Sequence, residues 1–526
     1  MDIFLVFCKK DRVFFLSFIC EQKKQNFEVL CQGVLSLGLL RSKAYMNLVM
    51  ASCSDLSAKS VVELTSSRHF HYHYSNISKI SHNLCQNEED YQVIFNILLT
   101  YFLSSCELPP SSDACLGTYY SFSQDMCMVS KPASACLADK VYGHKANSLG
   151  TGVVEGYQVG FTHLHATKGW ALPIAMEIIP SHGNAIDLAV KQLETLLSDD
   201  SLPFAKSFCL NNADSGYGNA RYLSPLHRWD KLINIVRLRA GMKVYAVFGG
   251  EQKAKSNPMI YGQTYYLNSQ SVEKTVHYQD KKDKSKQEKQ KLQTSIMDYA
   301  FADFTEQAMV LGNGKKAIRK VWTWKNMLIR SKNGNNRSDE PLKDKPFNLL
   351  KIEIWNEDQS AKIFDRDMFL AVTGKSKDQV STPLAVAHYR TRFDVECCYR
   401  FSKQNLFLGK FQTPDKVHFL SHLLVILSSW WLLYAAKDQL QVTVPVWQQY
   451  LPENKALLLG SETQEKAYLS PSQVRKGMAD LFDTMDKTPY LPTKSKKGKG
   501  RAKGTKLLKR LRHKTVKKGK KTPKKE

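Results

Sequence analysis

The chain has 526 residues, 43% hydrophobic and 11% aromatic, which calls for two to four packed domains and excludes a wholly disordered protein. Its net charge of +26 points to a polyanionic partner, nucleic acid before an acidic membrane, and 17 lysines and arginines against one glutamate after residue 493 place +16 of it in the tail. Twelve cysteines are scattered without C-x-x-C or a Cys/His cluster at zinc spacing, which excludes a disulfide framework and indicates a reducing, intracellular setting.

The first apolar runs, 3–8 and 13–20, are split by Lys9, Lys10, Asp11 and Arg12, so neither is long enough to span a membrane or to serve as a normal secretion signal. Met46 and Met50 offer internal starts. Residues 1–110 read as a helical region, with 89–103 amphipathic. Within it His69, His71 and His73 alternate with aromatics. Three imidazoles in a row on one strand face lack the convergence a metal needs, so a polar or nucleic-acid-facing surface is the preferred reading. Pro109-Pro110-Ser111-Ser112 marks a domain boundary.

An alternating α/β pattern follows. Residues 133–138 form a short run ending in Asp139, and strands are expected at 157–165 and 170–179. A helix is expected at 186–197, and a strand at 207–210 leads to Asp214. A helix at 219–229 and a strand at 232–238, ending at Arg237 and Arg239, complete the order β-β-β-α-β-α-β. Asp214 starts an Asp-Ser-Gly-Tyr-Gly-Asn turn, where its bland role would be a cap for the next helix. Residues 241–382 are β-rich, with a charged stretch at 279–291 read as a solvated loop or surface helix. Phe304 to Arg330 and Leu349 to Trp355 alternate like strands of a small β domain, and Trp322 and Trp324 share a strand face.

In the helix expected after Pro383, Tyr389, Arg392, Glu396 and Lys403 fall in one stripe roughly 60° wide at ~100° per residue. Phe393, Cys397 and Phe401 make an adjacent apolar edge. Residues 419–436 contain no Lys, Arg, Asp or Glu, at the lower limit for a membrane span, and are read as a buried core helix. Helices are expected over 441–488, and 489–526 is read as a basic disordered tail.

The Tyr-x2-Arg-x3-Glu-x6-Lys spacing resembles the signature of bacterial insertion-sequence DDE transposases. That resemblance covers residues 130–440 and implies an RNase H-like mixed sheet flanked by helices. Its catalytic core would comprise 130–240 and 383–440, interrupted by the β-rich insertion 241–382. It also implies an N-terminal helical domain that binds the transposon ends. By the same resemblance the first acid ends the first strand and the second follows the fourth, which selects Asp139 and Asp214, with Glu396 as the third metal-binding carboxylate. Tyr389, Arg392 and Lys403 would contact DNA phosphates, with Arg237 and Arg239 as further candidates, and Trp322 and Trp324 would offer a stacking platform for a flipped base. The implied cofactor is Mg²⁺, with Mn²⁺ as substitute. The implied partners are terminal inverted repeats and target DNA, held by a homodimer on paired ends in a bacterial cytoplasm at the nucleoid. After Asp139 the chain has Lys140-Val141-Tyr142, where the family usually has an acid or small residue and then Thr or Ser. That departure sustains an alternative, a catalytically inactive or domesticated DNA-binding relative. A general nucleic-acid-packaging protein would account for the tail alone.

Overall fold

The computed structural model describes residues 21–144, 152–252, 259–267, 270–279, 286–311, 314–330, 341–440, 469–485, 504 and 510–517. The chain divides into two compact units, residues 1–106 with 424–500 and residues 107–423 with 501–526.

The first unit is helical: α1 (Glu21–Ser36), α2 (Ser42–Ser54), α3 (Ser75–Asn83) and α4 (Glu88–Ser105), joined by a C-terminal helix at Pro471–Met485. Asn87 caps α4 by accepting from the Asp90 amide at 2.7 Å, and three acids in the first turn suit the positive end of the helix dipole. α2 is the buried centre. Tyr45 donates to the Leu424 carbonyl, Phe102 stacks on Trp431, and buried Arg475 donates from Nε to the Ser52 carbonyl. The three alternating histidines lie in an irregular connection rather than on a strand, and His69 is buried edge-on to Phe482. The 441–468 part of the expected C-terminal helices lies outside the described residues.

The second unit is mixed α/β, a large mixed sheet flanked by helices. In chain order it runs β1 (Ser111–Asp113), β2 (Gly117–Ser130), β3 (Val141–His144), β4 (Val153–Thr167), β5 (Trp170–Ile179), α5 (Ala185–Ser198), β6 (Phe208–Ala213), α6 (Ala220–Leu226) and β7 (Leu232–Leu238). β4 pairs antiparallel with β2, β3 and β5, while β2, β6 and β7 run parallel. The expected strand at 133–138 is a succession of turns, and β2 takes its place. The reason is that β2 alternates apolar residues with Ser121, Ser123 and Asp125, a polar face that hides a buried strand from a hydrophobicity reading.

Two antiparallel ribbons follow: β8 (Lys243–Val247) with β9 (Tyr261–Tyr266), and β10 (Val272–Gln279) with β11 (Lys286–Gln293). The charged stretch expected as a loop or helix is therefore largely ribbon, with 280–285 outside the described residues; an all-polar run carries no periodicity to reveal pairing. β12 (Asp303–Val310), β13 (Lys316–Met327), β14 (Phe347–Asn356) and β15 (Met368–Thr373) do not form a separate β domain. β15 pairs with β7, so these four strands extend the main sheet and cover what would be its open edge.

α7 (Thr382–Gln404) then crosses one face of the sheet. Ser381 caps it by accepting from the Leu384 amide, and Pro383 occupies its first turn, where a missing N–H costs nothing. Ala385, Val386 and Tyr389 pack into a core of Leu210, Ile233, Ile235 and Leu370. α8 (Lys416–Ala436) has a mean hydropathy of 1.6, but 94% of its apolar window is buried inside the protein, as in a core helix. The remaining helix, Pro471–Met485, is α9.

Candidate active site

The parallel register sets the site. β2 and β6 pair up to Gln124 opposite Ala213, and β6 and β7 up to Ala213 opposite Val236. The next residue on each strand is Asp125, Asp214 and Arg237, so two carboxylates and a guanidinium stand in a row across three neighbouring strands, ~4.8 Å apart strand to strand. Alternation aims Ser121, Ser123 and Asp125 at the face that α7 covers.

α7 brings its stripe onto this row. Arg392, with 14% of its side chain exposed, donates from Nη2 to Glu396 Oε1 at 2.8 Å, and its Nη1 lies 3.8 Å from Asp125 Oδ2. Glu396 is 44% exposed and Asp125 20%. The buried Tyr389 ring lies 5.9 Å from the Arg392 guanidinium. The Tyr389 hydroxyl, Arg392 Nε and the Tyr399 hydroxyl are buried polar atoms without hydrogen-bond partners. Lys403 stands beside Cys127, two residues past Asp125 on β2, and its charge partly offsets the rise that burial imposes on the Cys127 thiol. The stripe therefore runs along β2.

The electrostatics single out Asp125. Burial pushes its carboxyl up to about 6, and the charges of Asp214 and Glu396 push the same way; the Met126 amide and Arg392 oppose them. Tyr217 and Tyr399 wall the group, their hydroxyls held well above the usual range by burial and then by Asp125 itself. Burial also raises Tyr389, against the pull of Arg392 and Arg237.

The Asp214 turn is built by hydrogen bonds. Asp214 Oδ1 accepts from the Gly216 amide at 2.7 Å, while the α6 cap falls to Asn219, which accepts from the Tyr222 amide. A side chain at Gly218 would place its Cβ 2.7 Å from the Arg237 carbonyl oxygen, so only glycine lets this turn pack against β7.

Asp139 stands apart from this constellation. It lies in the turns between β2 and β3 at a left-handed φ of 62°, and its Oδ2 accepts from the Ser181 amide just beyond β5. The structure thus brings Asp125, Asp214 and Glu396 to one place, and not Asp139. Arg237 is half-buried in the row, whereas Arg239 lies exposed in the turn past β7. Trp322 and Trp324 occupy the opposite face of the sheet from α7, since Thr323 between them bonds Thr382 of α7. Trp324 is fully buried with its indole N–H on the Tyr299 carbonyl, and Trp322 packs on Phe304 and under the Lys351 ammonium.

A buried polar layer ties α7 to the sheet beneath the acids. Asn212 donates to the His388 carbonyl at 3.1 Å and to Thr391 Oγ1 at 3.3 Å, Ser121 Oγ meets His388 Nε2 at 2.7 Å, and Ser123 joins Asn212 and His165. These partners are far apart in sequence, and no local pattern announces them.

Among the described residues, no three His, Cys, Asp or Glu side chains are gathered closely enough to hold an ion as they stand. The donor chemistry nonetheless fits a hard cation: three carboxylates, one with proton affinity raised chiefly by burial and further by the charges of the other two, and a guanidinium lying against two of them. No known family model matches the chain, and no characterised protein matches it in sequence.

Proposed function

We propose that the chain is a DDE-type DNA transposase with an RNase H-like core, in which Asp125, Asp214 and Glu396 are the metal-binding acids. Asp125 takes the role that the resemblance implied for Asp139. One observation carries the reading: the signature helix lays Arg392, paired with Glu396, against Asp125, which sits on the first long strand of the core beside Asp214, just after the fourth. The resemblance puts its first acid at the end of the first strand; Asp125 lies within β2, and its place near Asp214 and Glu396 is what supports the reading.

Mg²⁺, or Mn²⁺ in its place, held by these carboxylates would activate a water or a DNA 3′-hydroxyl and stabilise the leaving oxygen of an in-line displacement. The protein's own groups hold the DNA. Arg392, Lys403 and Arg237 supply charge for phosphates along the row. Substrates are the terminal inverted repeats and target DNA, with two copies pairing the ends. A second reading, a DNA-binding relative that cannot cut, draws on Arg392 standing between Asp125 and Glu396.

The test is nicking and joining of DNA carrying the element's own ends, with Mg²⁺ or Mn²⁺, beside end binding. Asp125→Asn, Asp214→Asn and Glu396→Gln lose at least 100-fold in rate on the magnitudes usual for such groups and keep binding, while Asp139→Asn stays within a few-fold of wild type. Loss of activity in Asp139→Asn with retention in Asp125→Asn overturns the assignment, and wild-type binding without cleavage favours the second reading.

A further inference from the structure

The basic tail is not wholly a loose arm. Residues 510–517 lie against the outer edge of the sheet, where Val516 forms a parallel bridge with Val141 at the start of β3. The Val516 amide donates to the Lys140 carbonyl at 2.8 Å and the His513 amide to the Ala135 carbonyl at 3.0 Å. The Thr515 hydroxyl donates to the Glu155 carboxylate, which also pairs with buried Lys140 at 3.3 Å. Val516 is itself buried. Arg510, Arg512, Lys514 and Lys517 stay exposed on this strap. Lys140 and Val141, directly after Asp139, are thus the docking place of the strap.

We propose that residues 510–517 are a fixed cationic strap on the β3 edge that grips the phosphate backbone of duplex DNA flanking the acids. The inference rests on the DNA-processing reading. A solubilising end needs neither a main-chain bridge nor a buried valine, and fixing one costs chain entropy at every residue. Placement can be read from register. Ser130 on β2 lies opposite Gly156 on β4, and Gly156 opposite Val141 on β3. The bridge is therefore five residues along β2 and two strands over from Asp125, roughly 20 Å from it at ~3.4 Å per residue and ~4.8 Å per strand. At 3.4 Å per base, that is about six base pairs. Four cations held there would define a boundary of contact, where a free tail would smear it.

The experiment uses the full chain on duplex DNA, with binding followed against salt and contacts mapped by hydroxyl-radical footprinting. Exchanging Arg510, Arg512, Lys514 and Lys517 together for alanine, all exposed, lowers the slope of log K against log [salt] by about 3–4. Val516→Pro removes the amide that holds the strap and keeps every charge; it erases a patch of protection about six base pairs from the cleavage point. Unchanged slope in the charge variant, or an unchanged footprint in Val516→Pro, overturns the strap while the DNA reading stands. Absence of duplex binding by wild type overturns both.

Discussion

Asp125→Asn tests the electrostatic centre of the site without any DNA. In the folded protein the Asp125 carboxyl titrates at about 6 against an ordinary 3.8, chiefly because it is buried. At 1.36 kcal/mol per pH unit, that displacement is worth about 3 kcal/mol. The sign follows from proton uptake: between these two values the folded state holds a proton that the unfolded state has released. Stability is therefore full below about pH 4 and is lost as the pH rises through 6. Roughly half of it has gone by pH 5 and nearly all by pH 7. Asparagine carries no charge, so urea unfolding of the two proteins in chelator should show the variant gaining on wild type by on the order of 1 kcal/mol between pH 5 and pH 7. Millimolar Mg²⁺ or Mn²⁺ should narrow the gap at pH 7, because an ion that binds the folded wild type stabilises only that protein. A gap that does not change with pH, or one that Asp139→Asn reproduces, refutes the reasoning.

Gly218→Ala should cost about 1–3 kcal/mol, the usual range for overpacking, because its Cβ meets a backbone oxygen that has no rotamer to yield. The displaced turn carries Asp214, so metal-dependent cleavage should fall more than end binding, and equal loss of both would count against this turn. Acid should weaken the second unit through four histidines, His163, His165, His388 and His422, each held neutral to about 3 by burial. Their folded values lie below the unfolded one, so the stability they permit is present above about pH 6.5 and falls toward pH 3, by up to about 1.4 kcal/mol per pH unit for each. Replacing His388 with Gln, which can still bond Ser121, should reduce the pH slope of urea stability by about one proton between pH 6 and 4; an unchanged slope would show that His388 titrates normally.

Much of the second unit was legible. The strands at 157–165, 170–179 and 232–238 and the helix at 186–197 all coincide with β4, β5, β7 and α5, because each has a clean apolar period. The stripe Tyr389, Arg392, Glu396 and Lys403 follows from helix geometry alone, and α7 presents it along β2. What stayed hidden was non-local. That β12 to β15 continue the sheet depends on β15 finding the β7 edge, and the tail strap depends on Val516 finding Val141, pairings for which neither partner carries a sequence mark.

Asp125 was hidden for a different reason. A strand that buries a carboxylate contradicts the rule that charges sit at strand ends, and burying one is costly unless something answers it. Here the answer comes from outside the strand. Arg392 lies against the group from α7, and α7 is fixed in register by Asn212, His388, Ser121 and Ser123, four polar residues that look in sequence like breaks in an apolar strand or helix. The features that blur β2 as a strand are the ones that let it carry an acid. A polar residue at every second position of a long strand behind a domain boundary, in a basic chain that also holds a Tyr-Arg-Glu-Lys helix, thus points to the acid proposed here, Asp125, where the end of the nearest apolar run points to Asp139.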